Sequence, residues 1–201
     1  TIFIMIAIGG GIGASVITSQ YLGAKEYKKM KTSIYTALIS FFVLSIFLCV
    51  FGLLKNKELL IALNTPHNIL DDAHLYLEIY FIGLPFLFMY NILSAVFNSL
   101  GKSRIPLYLL IFSSVLNVAL DLFMVINLNM GVAGVAIATV IAQGISAVIS
   151  FIVLIRIIHT YDTGTSHIKK FDESMISKMF LIAIPSILQQ SIVSIGMVLV
   201  Q

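Results

Sequence analysis

Charge is scarce in this chain: 10% of its 201 residues are Asp, Glu, Lys or Arg, where soluble domains carry about 25%. Hydrophobic residues make up 59%, and mean hydropathy is +1.05. Together these exclude a water-soluble enzyme and a disordered chain, and they indicate an integral membrane protein. The one cysteine, Cys49, sits inside an apolar run, so an internal disulfide is excluded. No initiator methionine or basic leader opens the sequence, and Thr1 and Gln201 both fall in apolar runs. A piece of a longer protein is therefore expected. Paired acids, an HExxH helix and a Ser/His/Asp set are all missing, so no catalytic residue is assigned and no enzyme is expected. His67 and His74 fall on one side of the membrane and His159 and His167 on the other, which excludes a four-histidine metal site. The net charge of +3 does not point to nucleic acid, because the basic residues are scattered through short gaps rather than gathered on one face.

What is present is six apolar runs: 1–22, 32–54, 75–100, 106–126, 131–158 and 175–201. A helix needs about 20 mostly apolar residues to cross a bilayer. Barrel strands are half as long and alternate in polarity, which the run Phe41 to Phe51 does not. The expected fold is an all-α polytopic bundle. Ten of the twelve basic residues lie in or beside alternate gaps, leaving only Lys55 and Lys57 on the opposite side. By the positive-inside rule, loops 23–31, 101–105 and 159–174 face the cytoplasm of a cell (plasma or inner) membrane. The last of these reads as a linker between two bundles. The gap from Asn64 to Asp72, with Pro66 as a helix-start signal, is external.

With Glu78 at the outer end of its run, one acid, Asp121, is left inside a span. A charge deep in the bilayer costs about 2.5–3.5 kcal/mol even on insertion scales, and such residues usually face the bundle interior. The alternative is a side chain reaching the outer interface, since Leu122 to Ile126 cover only about a turn and a half. Ser113, Asn117 and Asp121 are spaced i, i+4, i+8 and share one helical stripe. Thr139 and Gln143 form a second stripe on the next run, joined to the first by the short segment 127–130. Asp121 and Thr139 lie at nearly equal depth, at about 1.5 Å per residue. Carboxylate, amide and hydroxyl can therefore converge as oxygen donors for Na⁺, or the carboxylate can take H⁺. Zinc or copper would want His or Cys. Asn91, Ser94 and Asn98 form a third stripe, which either lines an aqueous cavity or makes interhelical hydrogen bonds. Pro85 and Pro185 interrupt two runs and favour kinks. The steps Gly134, Ala138, Ala142, Ser146, Ser150 and the Gly9/Gly13 pair mark close helix packing.

Five motifs carry a family resemblance. Gly13-Ala-Ser-Val-Ile-Thr-Ser-Gln-Tyr-Leu-Gly-Ala-Lys25 resembles the second helix of multidrug and toxic compound extrusion (MATE) transporters. Leu84-Pro-Phe-Leu-Phe-Met-Tyr-Asn-Ile-Leu-Ser-Ala95 with Asn98-Ser-Leu-Gly-Lys-Ser-Arg-Ile-Pro106 resembles the fourth and its turn. The segments 113–121, 131–139 and 184–190 are similar to the fifth, sixth and seventh helices. The resemblance implies two six-helix lobes: residues 1–158 would be the first lobe less its first helix, 159–174 the inter-lobe linker, and 175–201 the opening helix of the second. It also implies export of amphiphilic or cationic compounds in exchange for H⁺ or Na⁺, by alternating access and with no other cofactor. The family's cation site maps onto Asn117, Asp121 and Thr139, while its first-helix Asp has no counterpart here. Gln143, Ser113, Asn91 and Asn98 are candidates for a cavity lining. The expected partners are small-molecule substrate, coupling cation, lipid bilayer and the remainder of the chain. A lipid-linked oligosaccharide or polysaccharide flippase of the same superfamily is the alternative, opposed by the lack of Lys or Arg inside any span apart from Arg156 and Lys178 on the flanks of the 159–174 gap. A non-functional truncated product is the other.

Overall fold

The computed structural model describes residues 2–62, 70–163 and 168–200, and these contain helices and no strand. The order is α1 (Ile2–Gly23), α2 (Tyr27–Ala62), α3 (Leu70–Ser99), α4 (Arg104–Leu122), a π-helical turn (Phe123–Asn127), α5 (Gly131–Thr160) and α6 (Glu173–Val200). Among the described residues, four segments are long and apolar enough to cross a bilayer: Tyr27–Leu60, Leu70–Ser99, Arg104–Asn127 and Gly131–Thr160. The external Thr65-Pro66-His67 signal and linker residues Gly164, Thr165, Ser166 and His167 lie outside the described residues.

The connections are shorter than hydropathy suggests. Residues 27–31 of the expected 23–31 loop belong to α2, and Arg104 and Ile105 of the 101–105 loop belong to α4. The 159–174 linker loses its first two residues to α5 and its last two to α6. Hydropathy marks where a chain leaves the apolar zone, whereas the backbone keeps hydrogen bonding as long as good helix formers such as Lys and Glu continue it. The Lys55–Glu58 ion pair at 2.8 Å, one turn apart on α2, lies in such an extension.

Left-handed residues sit in three turns, one of them at Asn129 (φ 51°) and Gly131 (φ 55°) before α5. After α3, Gly101 (φ 71°) lets Lys102 N–H reach Phe97 O at 2.9 Å and Gly101 N–H reach Asn98 O at 3.0 Å, a glycine-terminated stop. After α1, Lys25 (φ 58°) fills the same role, with Glu26 N–H donating to Tyr21 O at 2.9 Å.

The core lies where α3 packs on α1 and α2, with Phe41, Phe81, Phe88 and Phe97 all fully buried. Glycines on α1 set the approach of its neighbours. A Cβ on Gly13 would land on the Met179 carbonyl oxygen of α6, one on Gly9 on Ile187, and one on Gly10 on the Phe41 ring. The Gly9/Gly13 pair is thus a packing face for α6. On α5, Gly134, Ala138, Ala142, Ser146 and Ser150 are all buried. Pro85 and Pro185 lie within continuous α3 and α6.

The segment between α5 and α6 is tied to α2 at both ends. Lys31, 5% exposed, donates to Tyr161 O at 2.7 Å and Thr163 Oγ1 at 3.3 Å. Tyr27 and Tyr161 rings meet at 5.3 Å. Asp172 N–H donates to buried Thr36 Oγ1 at 3.1 Å. The Asp172 carboxylate then accepts from Ser174 Oγ at 2.8 Å and Ser174 N–H at 3.0 Å, capping α6. Those two donors, with Lys169 next, hold its carboxyl below the usual carboxylate range.

Candidate cation site and adjoining cavities

Helices α4 and α5 run antiparallel across the short 128–130 connection and pack on each other. That packing brings Asn117 to Thr139: Asn117 Nδ2 donates to Thr139 Oγ1 at 3.2 Å. The threonine hydroxyl donates in turn to Val135 O, one turn back on its own helix, at 3.0 Å. Its proton is therefore committed, while one oxygen lone pair is left over. Because Asn117 uses its amide N–H₂, its carbonyl oxygen is the end available for a cation.

Asp121 follows Asn117 by one helical turn, is half-buried, and has a buried Oδ1 with no hydrogen-bond partner among the described residues. A buried, unsatisfied carboxylate oxygen is costly. Two residues later the π-turn begins, and Leu128 N–H bonds back to Phe123 O at 3.3 Å. Such single wide turns recur at functional sites in helices. The donor set suits H⁺ or Na⁺: one carboxylate, one amide oxygen and one hydroxyl, all hard ligands. No group of three His, Cys, Asp or Glu comes together among the described residues.

The remaining candidates divide between two places. Gln143 does not join the Asn117–Thr139 pair; it lines a small cavity between α3 and α5, which Thr139 also borders. Asn91 and Asn98 line a second cavity of about 300 Å³ between α1 and α3, with Gly11, Ser15 and Ser94 among their neighbours. Asn91 Nδ2 donates to Leu87 O of its own helix at 2.8 Å, so its polar group is satisfied locally. Ser113 is half-buried on α4. Sequence reasoning missed the buried polar contacts of α2, namely Lys31, Thr36 and the Thr18 Oγ1–Ser33 Oγ pair at 3.1 Å. Lys31 was placed in a loop, and a lone hydroxyl in an apolar run carries no signal of its partner.

A family model described as MatE matches residues 1–123. Among curated proteins, "Probable multidrug resistance protein YpnP" of Bacillus subtilis (strain 168) is 33% identical over 90% of the chain and 40% of its own length. "Multidrug export protein MepA" of Staphylococcus haemolyticus (strain JCSC1435) is 27% identical over 92% of the chain and 41% of its own. The chain thus spans about two fifths of the curated relatives it matches. Among solved structures, the outward-facing form of a multidrug-resistance MATE-family transporter superposes with TM-score 0.88 at 21% identity, over 98% of this chain and 44% of that one. An inward-facing form gives TM-score 0.83 at 18% identity, over 94% and 43%.

Proposed function

The chain belongs to the MatE family of multi-pass membrane proteins, and on that premise we propose that it forms most of one lobe of a cation-coupled exporter. The exported compounds are amphiphilic or cationic organic molecules; the relatives' names speak of multidrug resistance and multidrug export. The coupling ion is H⁺ or Na⁺, taken at Asp121 with Asn117 and Thr139 beside it, and loops 24–26, 100–103 and 161–172 face the cytoplasm. The observation that carries this reading is the buried Asp121 Oδ1, unpartnered among the described residues, one turn from a polar pair joining two helices.

The chemistry follows from the charge. An empty, ionised Asp121 is poorly satisfied in an apolar surround, and H⁺ or Na⁺ neutralises it. Binding therefore favours whichever lobe arrangement buries the group more deeply. Drug binding that favours the other arrangement expels the ion, because two ligands with opposite state preferences must weaken each other.

Efflux by the intact transporter in a pump-deficient host provides the test. Asp121→Asn is expected to cut drug export about tenfold or more, in line with usual coupling strengths, without loss of membrane protein. Undiminished export with the same dependence on the cation gradient would overturn the assignment.

A further inference from the structure

A groove of about 390 Å³ runs between α2 and α5 over α3, and its walls include Ile39, Phe42, Pro85, Phe86, Val148 and Phe151. Every side chain lining it among the described residues is apolar, and Phe42, Val148 and Phe151 are exposed. The three helices are each long and apolar enough to cross a bilayer, so the groove opens to hydrocarbon. Its shape has a local cause. At the lysine-rich end of the bundle, Lys31 Nζ donates to Tyr161 O at 2.7 Å and the Tyr27 and Tyr161 rings meet, which draws α2 and α5 together. Farther in, both pack on α3, and a gap is left between them above Pro85 and Phe86.

The groove lies on the opposite side of α3 from α1. A Cβ on Gly11 of α1 would stand 3.2 Å from Ala95 Cβ. Phe86 precedes Ala95 by nine residues, about two and a half turns, so the two point opposite ways. Any further chain joins at the start of α1 or the end of α6, and α6 itself packs on α1. The rest of the protein therefore departs from the other flank of α3, while lipid meets the groove directly.

Both walls lead to basic side chains. Ile39 and Lys28 are eleven residues apart on α2, and Val148 and His159 eleven apart on α5, so each pair shares a stripe about 16 Å long. Lys28, Arg156 and His159 are exposed. Arg156, three residues short of His159, joins no ion pair among the described residues. The hydrocarbon of one leaflet is about 15 Å deep, half of the roughly 30 Å core, so an acyl chain ending in the groove sets its phosphate at these side chains. We propose that the groove holds one acyl chain of a glycerophospholipid whose phosphate pairs with Arg156, with Lys28 and His159 beside it. The chain leaves no water behind on entering, so its affinity comes from van der Waals packing between α2 and α5 and from the charge of the head. The site is separate from the Asp121 group and does not depend on ion coupling: the lipid ties together two helices that part in mid-span.

Val148→Trp fills the groove from an exposed position without entering the core. The purified intact transporter, delipidated in detergent, is titrated with palmitoyl-oleoyl phosphatidylglycerol or with palmitoyl-oleoyl glycerol, the same molecule without its phosphate head. Bound lipid is counted by native mass spectrometry. At saturation, wild type is expected to hold one more phosphatidylglycerol than Val148→Trp, and no diacylglycerol in its place. Arg156→Gln is expected to bind that one lipid about fivefold more weakly, the effect of one basic residue at a membrane surface. If Val148→Trp lowers protein yield, Ile39→Trp on the facing wall carries the same expectation. Equal phosphatidylglycerol counts in wild type and a folded groove variant would overturn the site, whether protein or nothing covers the groove. Diacylglycerol held as tightly as phosphatidylglycerol, or Arg156→Gln matching wild type, would overturn the phosphate contact.

Discussion

The α1–α3 side of the bundle and helix α4 are built on opposite principles. On the first, Phe88, Phe97, Leu84, Ile92 and Leu93 of α3 are wholly buried, and glycines on α1 admit α6 and the Phe41 ring at contact distance. On the second, α4 buries one residue, Leu109, and packs mainly against α5. Yet α4 carries Asn117 and Asp121. The closely packed side holds no buried Asp or Glu among the described residues, and Asp121 sits on the helix that buries least. Elements that change state are drawn from the weakly packed end of a structure, so in the proposed mechanism α4 is the moving part, and α5, packed on α3, belongs with the frame.

The sharpest way to break that contrast is to overfill the frame. Gly13→Leu sets a side chain against the Met179 carbonyl, and α1 cannot then seat on α6. Overpacking of this kind costs about 1–3 kcal/mol or more, and the purified intact transporter is expected to show a much lower Tm or no monodisperse peak. A matched pair of phenylalanines gives the next largest effect. Phe88→Ala leaves a void in a fully buried site and is expected to cost about 2–3 kcal/mol, mostly as the cavity term, because lipid resembles the core in polarity. Phe112→Ala, on the exposed side of α4, should stay within about 0.5 kcal/mol. Equal losses in thermal unfolding would erase the distinction.

Smaller still is the stability effect at the polar pair. An interhelical hydrogen bond in a membrane is worth about 0.6 kcal/mol on average, so Asn117→Ala and Thr139→Val should barely move Tm. If these groups serve the ion, both should shift the cation dependence of drug binding about five- to tenfold. The weakest effect belongs to Asp172 outside the membrane. Its carboxyl titrates below the usual range because Ser174 donates to the ionised form. A lowered folded-state pKa means the α6 cap is intact above the unfolded-state value and is lost only as pH falls through the lowered one. Amide exchange at residues 174–176 should therefore quicken only in that acidic window, and Asp172→Asn should flatten the response.

The helix count, the helix order and the pairing of Asn117 with Thr139 were readable from run length and four-residue spacing, because a helix fixes which residues share a face. Equal depth across the short connection set Asp121 level with Thr139, whereas the hydrogen bond to Thr139 comes from Asn117, one turn earlier. The ends of α2 were not readable: Lys28, Lys29 and Lys31 look like a loop by hydropathy, although the backbone there is helical. The burial of Lys31 was hidden for a related reason, since its acceptors, Tyr161 O and Thr163 Oγ1, lie about 130 residues away in sequence. Gln143 shares a stripe with Thr139, but spacing alone could not say that it turns toward α3 while its neighbour serves α4. The π-turn after Asp121 left no mark in Phe-Met-Val-Ile-Asn that periodicity could detect.

The central claim is that drug and ion compete through Asp121. Cation release measured on adding drug to the purified intact transporter tests it directly, by following protons with a pH dye in weak buffer and Na⁺ with an ion-selective electrode. Wild type should release close to one ion per drug bound, and Asp121→Asn should bind drug and release none. Release of the same size from both proteins would place the coupling elsewhere and contradict the account.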